Sequence, residues 1–249
     1  EIYFYKKINY NQRVLPKTQF ESLNFKKIKL DIVLDQDNWD KANNKYFRAK
    51  KFFISQTVNG LLIVTSNGQI QFIKNYDFSN IEKIRSNLDD FNIYDVLDLE
   101  VIDDNLYISF AKILNKDPVC QSVQIIKGNF NSQKIMFENF FQTEKCLKGK
   151  TGGRMVHYFL DNVEGMLFTT GAYMKESNLA QDDNSLFGKI LFIDFNEGNS
   201  KIISKGHRNP QGLLANDKII LSTEHGPFGG DEINKIVLNG NYGWPNASY

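Results

Sequence analysis

The feature that most constrains this chain is a short apolar run that recurs along it, each copy entered through an Asn, Asp or Gly turn. The first copy is Asn59-Gly60 followed by Leu61–Ser66, then Asn67-Gly68 and Gln69–Ile73. Asn-Gly between apolar runs is the strongest short-range hairpin signal, because both residues tolerate the left-handed backbone of a tight turn. Comparable runs are Asn105–Phe110, Gly165–Thr170 and Lys218–Thr223; aligned on Leu61, Leu106, Met166 and Ile219, they are spaced by 45, 60 and 53 residues. Each is followed by another strand candidate. Repeats of this length, each holding several short strands, predict an all-β chain folded as a β-propeller of four-stranded blades. One blade cannot bury both its faces alone, so its neighbours must cover them, and the innermost strands then surround an axis. A β-sandwich with irregular loops is the alternative that the periodicity leaves open. About four blades fit between residue 52 and the end.

Composition narrows the function. A chain of 249 residues with 30 Lys+Arg against 29 Asp+Glu has a net charge of +1, which argues against the basic face of a nucleic-acid binder. With 41% hydrophobic and 24% charged residues the chain is an ordinary folded protein rather than a disordered one. No run approaches the roughly 18 apolar residues of a membrane span. Residues 1–51, rich in Lys, Asn and Asp, read as an N-terminal lead-in with a short helix near Asn38–Lys45. Residues 52–249 read as the propeller domain, cut short at its C-terminal end. The chain opens at Glu1 without an apolar signal core, in keeping with a leader already removed.

The two cysteines, Cys120 and Cys146, flank one hairpin-like stretch and are expected to form a disulfide. Closing that loop of roughly 25 residues is worth on the order of 3 kcal/mol in the chain-entropy picture. No Cys/His cluster has zinc spacing. Of the three histidines, His157 lies in an alternating strand, Arg154–Tyr158, and reads as a half-exposed strand residue. His207 and His225 lie in unusual polar loops.

Those loops carry the most information. Gly206–Leu213 gathers His207, Arg208, Asn209, Pro210 and Gln211 before a strand; Glu224–Asn234 follows the next strand; Asn241-Tyr242-Gly243-Trp244-Pro245 comes last. Gly-, Pro- and amide-rich loops on a rigid scaffold are where binding chemistry concentrates. Arg208 offers a planar fork for a carboxylate or quinone oxygen, with Asn209 beside it. Gly226 and Pro227 expose carbonyls suited, with carboxylates, to a hard cation such as calcium. The competing reading is a structural loop network in which Arg208 pairs with Glu224 or Asp231.

These three loops, in this order and spacing, resemble those of the soluble quinoprotein glucose/sorbosone dehydrogenases, the aldose sugar dehydrogenase-like family. A weaker likeness extends over Asn59–Ile73, Asp95–Phe110 and Gly152–Gly171. The resemblance implies a six-bladed propeller, pyrroloquinoline quinone (PQQ), calcium and a small-molecule sugar or glycan ligand. It implies quinone contacts for Arg208 and Asn209, and carbonyl ligands from Gly226 and Pro227 to a calcium that also holds the cofactor. Glu232 and Tyr242, the latter through its carbonyl, fall where a second, structural calcium is held. It also implies a periplasmic or secreted protein, with no nucleic-acid partner and with a homo-oligomer or protein partner open.

The departures weigh against ordinary catalysis. The position of the family's histidine base holds Lys150, which would have to be neutral to take a hydroxyl proton. The position of an assisting aspartate, after Gly171, holds Ala172. A glutamine near the start of the second blade is replaced around Ile93-Tyr94. The residues therefore favour a family propeller with lost or altered catalysis over an active aldose dehydrogenase. A glycan- or protein-binding structural propeller is the third reading.

Overall fold

The computed structural model describes residues 52–65, 68–116, 119–130, 134–143, 152–172 and 174–247. The lead-in over 1–51, with its expected helix, lies outside the described residues, as do Lys150 and Cys146. Four antiparallel sheets follow one another along the chain. The first holds β1 (Phe52–Thr57), β2 (Gly60–Thr65), β3 (Ile70–Lys74) and β4 (Ile81–Ser86). The second holds β5 (Ile93–Ile102), β6 (Asn105–Lys116), β7 (Val119–Asn129) and β9 (Phe137–Gln142), with β8 (Lys134–Ile135) between the last two in sequence. The third holds β10 (Met155–Leu160), β11 (Val163–Thr170), β12 (Lys189–Asp194) and β13 (Ser200–Lys205), and the fourth β14 (Pro210–Ala215), β15 (Ile220–Glu224) and β16 (Glu232–Ile236). This is the propeller arrangement expected from the repeat. The four aligned runs are β2, β6, β11 and β15, the second strand of every sheet.

Side-chain alternation explains why those second strands were so apolar. Successive residues of a strand face opposite sides of its sheet, and in the second and third sheets both sides meet a neighbouring blade. On β6, Leu106, Ile108 and Phe110 join Leu62, Val64 and Ile70 of the first sheet in one core, while Tyr107 and Ala111 join Met166 and Phe168 of the third sheet in the next. On β11, Leu167 points the other way, into a core with Ile190, Ile203 and Ile236 of the fourth sheet's junction. Leu106, Ile108, Phe110, Met166, Leu167 and Phe168 are all fully buried. Each such side chain contributes roughly 1.5–3 kcal/mol of apolar burial.

The fourth sheet has three strands among the described residues, and two of the others gain a fifth in a way that local signals do not reveal. After β7 the chain crosses to the edge of the first sheet, where β8 pairs in parallel with β4, before returning as β9. The same crossing recurs after β16, where β17 (Gly240–Asn241) pairs in parallel with β13 of the third sheet. A pairing of this kind depends on where two distant edges lie, which no local turn or alternation encodes. The fourth run also starts later than expected, at Ile220, because Asn216 Oδ1 accepts the Lys218 and Ile219 N–H groups at 2.9 and 3.0 Å and closes a turn there.

Candidate functional site

The starts of β10 and β14 and the ends of β11 and β15 meet at one rim, and the informative loops are the continuations of those strand ends. Gly171 follows β11, and a Cβ on it would stand 2.6 Å from the Arg208 carbonyl, so only glycine admits this approach. Ala172 N–H then donates to that carbonyl at 2.9 Å. Ala172 is fully buried, packs with Ala180 and Phe187, and its carbonyl accepts Trp244 Nε1–H at 2.6 Å. The Arg208 guanidinium lies 5.4 Å from the centroid of the Trp244 ring, a cation–π contact.

The 208 and 226 loops are brought together. Arg208 Nη1 donates to the His225 carbonyl at 2.8 Å, and His225 N–H donates to the Asn209 carbonyl at 3.3 Å. Asn209 Oδ1 accepts from Gly152 N–H at 3.3 Å and Gln211 Nε2 at 2.9 Å. That leaves its NH2 as the group it can offer a ligand. The competing structural network is met in part: Glu224 does bond Arg208, but through the backbone N–H, at 2.9 Å.

Past β15 the chain folds back tightly. A Cβ on Gly226 would fall 1.9 Å from the Gly229 carbonyl, and Gly226 N–H donates to Asp231 Oδ1 at 2.9 Å. That bond holds the Asp231 carboxyl below the usual carboxylate range, with His225, whose Nδ1 lies 3.5 Å away, and then Arg208 adding to it. The carbonyls of Gly226 and Pro227 accept no hydrogen bond among the described residues. Two carbonyls without donors beside a carboxylate form a donor set that suits a hard cation. A cleft of about 330 Å³ opens beside this loop, lined by Gln211, His225, Asp231 and Glu232 among others.

Glu232 opens β16, where its Oε2 accepts Asn234 Nδ2 at 2.9 Å. Tyr242 follows β17; its hydroxyl donates to the Lys235 carbonyl and accepts Val237 N–H at 3.0 Å. Thus Glu232 and Tyr242 both adjoin β16. Among the described residues, no three His, Cys, Asp or Glu side chains gather as a metal cluster, so a cation here would rely on backbone carbonyls. His157 is the half-exposed strand residue expected, bonded to Glu164 at 3.0 Å and stacked on Phe195. Cys120 is buried and disulfide-bonded.

Two residues of structural weight escaped sequence reading, and a third was read only as part of a polar loop. Arg154, at the head of β10, donates through Nε to the Gln211 carbonyl at 2.7 Å and through Nη1 to the Leu97 carbonyl at 2.9 Å and Asp98 Oδ1 at 3.3 Å. Its guanidinium also lies over Phe53, 5.5 Å from the ring centroid, so one side chain at the head of the third sheet reaches the other three. Lys189 is fully buried, with its ammonium donating to the carbonyls of Leu179, Ala180 and Phe187 at 2.8, 3.1 and 2.7 Å. The third is His207, which is buried against Glu224 and Ser204. A charge opening an apolar strand, as in Gly188-Lys189-Ile190, is the one local hint that Lys189 is not a surface cation.

The chain is similar to known proteins in sequence and in fold. The profile of the family described as Glucose / Sorbosone dehydrogenase matches residues 50–249. Quinoprotein glucose dehydrogenase B of Acinetobacter calcoaceticus is 43% identical over 81 residues, covering 27% of this chain and 17% of that protein. Aldose sugar dehydrogenase YliI of Escherichia coli K12 is 35% identical over 113 residues, 39% of this chain and 29% of that one. The chain thus matches less than a third of the length of these relatives. In fold it is similar to a crystal structure of glucose dehydrogenase, with a TM-score of 0.66 at 23% identity over 80% of this chain and 64% of that one. It is also similar to the PQQ-bound aldose sugar dehydrogenase of Streptomyces coelicolor, with a TM-score of 0.61 at 21% identity over 80% and 68% of the two chains.

Proposed function

This chain belongs to the Glucose / Sorbosone dehydrogenase family, and from that premise we propose that the rim formed by the 206–210 and 224–231 loops binds PQQ with calcium while sugar oxidation there is lost or altered. The observation that carries this reading is the pairing of Arg208 and Asn209 with the donor-free carbonyls of Gly226 and Pro227 at one rim, next to a strand end that carries Ala172. When bound, the quinone would supply the two-electron acceptor for the sugar. The chain's own residues would bind and orient it. Arg208 supplies a fixed cation for a ring carboxylate or quinone oxygen, and Asn209 its NH2 group. Gly226 and Pro227 supply carbonyl ligands to calcium. Glu232 and the Tyr242 carbonyl are proposed to hold a second calcium.

Proton removal from the sugar hydroxyl is the step left without a carboxylate. Ala172 is fully buried and its backbone is committed to Arg208 and Trp244, and Lys150 is cationic at neutral pH unless strongly desolvated. The test is reconstitution with PQQ and calcium chloride, followed by aldoses and an artificial electron acceptor. Quinone uptake with dye reduction no faster than in the sugar-free control is the expected result. Failure to take up micromolar PQQ would overturn the binding reading. Aldose-dependent turnover that vanishes in Arg208→Ala would favour the second reading, an active dehydrogenase, which the curated relatives' names support.

The disulfide at Cys120, for which Cys146 is the chain's only other cysteine, supports a periplasmic or secreted location. Among the described residues no helix is long and apolar enough to cross a membrane.

A further inference from the structure

Beneath the rim, Ser204, His207 and Glu224 form a chain of hydrogen bonds. His207 Nδ1 bonds Glu224 Oε1, its Nε2 bonds Ser204 Oγ at 2.7 Å, and its ring stacks on Tyr242 at 4.7 Å between centroids. The order serine, histidine, carboxylate resembles a hydrolytic triad. However, Ser204 is 1% exposed and His207 is 0% exposed, so no substrate reaches them.

What this chain of bonds does hold is the loop above it. Three donors converge on the Glu224 carboxylate: His207 through Nδ1 and Asn234 Nδ2 at 3.3 Å on Oε1, and Arg208 N–H at 2.9 Å on Oε2. The Arg208-to-His225 and His225-to-Asn209 bonds then close a ring through residues 207–209 and 224–225. A carboxylate accepts several bonds at fixed directions, and bonds to an ionised acceptor are stronger than neutral ones. Its placement therefore sets the backbone direction from which the side chains of Arg208 and Asn209 leave.

We infer that Glu224, held by His207, is a positioning residue that fixes the Arg208–Asn209 segment at the angle from which it meets an anionic quinone. This rests on the reading of the rim as a quinone site. Glu224→Gln preserves shape but offers one oxygen and one NH2, so one of its two main donors, His207 or Arg208, faces another donor. Asn234→Ala removes the third bond, and with it the bond to Glu232 Oε2, from a partly exposed edge strand and spares the buried pair, so it provides a second variant that folds if the first does not, with the exchange at Arg208 as its deciding readout.

Two measurements decide the matter in the full chain. Amide hydrogen exchange without ligand reports the bonds of Arg208 and His225. PQQ titration with calcium, followed by tryptophan fluorescence, reports the rim. Glu224→Gln should speed exchange at Arg208 and His225 by about tenfold, the loss of roughly one charge-assisted bond, while amides elsewhere in the fourth sheet keep their rates. The same variant should weaken PQQ binding by about tenfold, and Asn234→Ala should change both by roughly threefold. Unchanged exchange at Arg208, or a uniform rise across the fourth sheet, would overturn the inference whatever the ligand does. Wild-type protein that takes up no PQQ would overturn the quinone reading instead, and the exchange rates alone would then decide the role of Glu224 in holding the loop.

Discussion

Replacing Arg154 with Met should loosen the junction of the blades more than its position at the head of a short strand suggests. The side chain is 29% exposed and its partner Asp98 is 17% exposed, so the site is screened but not fully dry. Three hydrogen bonds from the guanidinium, at 2.7, 2.9 and 3.3 Å, are lost together. Bonds involving a charged group are worth roughly 1.5–3 kcal/mol each when made singly, but they share one side chain and water reaches part of the gap. A net cost of about 3 kcal/mol follows, toward the low end of what breaking a buried pair costs. Asp98 makes the loss dependent on pH. Burial already raises its carboxyl, and Met155 N–H and then Arg154 oppose that rise. Without Arg154 the folded carboxyl rises further above its unfolded value, so stability in the variant falls more steeply as pH increases. Urea unfolding followed by circular dichroism at pH 5 and pH 8 should show the larger deficit at pH 8, with an unchanged m-value. A double variant with Asp98→Asn should recover about 1 kcal/mol of the summed losses. An Arg154→Met protein within about 0.5 kcal/mol of wild type at pH 8 would refute the idea that this side chain pins the blades.

Three further outcomes are expected. Glu100 is pushed up to about 7 by burial and then by Asp98; between about 4.3 and that value the folded chain holds a proton the unfolded chain has lost, so stability falls as pH rises. Glu100→Gln should accordingly gain about 2 kcal/mol at pH 8, after allowance for partial solvent access, and little at pH 4, read from urea midpoints. Lys189 is lowered to about 8, mainly by burial, so the folded chain binds fewer protons than the unfolded one and stability rises between pH 8 and roughly 10.4. Lys189→Met should nevertheless cost about 3 kcal/mol at pH 7 by chemical unfolding, because three carbonyls lose their donor. Gly226→Ala, whose methyl would collide with the Gly229 carbonyl, should open an exposed loop; calcium-dependent PQQ uptake in a fluorescence titration should fall at least about tenfold while the melting temperature stays put.

The chain's own order of residues determined much of the fold. Leu61, Leu106 and Met166 marked the second strands of three blades because those strands are buried on both faces, and burial on both faces leaves a continuous apolar run that survives in one dimension; the run at Ile219 marked β15 less sharply, since Ile220 and Leu221 are half-buried and Thr223 is exposed. The composition of the rim loops was equally legible, since Gly, Pro, Arg and Asn in sequence restrict the backbone and the chemistry locally. Tertiary structure alone decided the rest. That β8 and β17 visit a neighbour's edge, that Arg154 reaches Phe53, Leu97 and Gln211, and that Glu224 takes the Arg208 backbone N–H all depend on where separate blades lie around the axis. Turn and alternation signals act over a few residues, whereas these contacts follow from the accumulated twist and packing of whole sheets, so they take their partners from distant parts of the sequence.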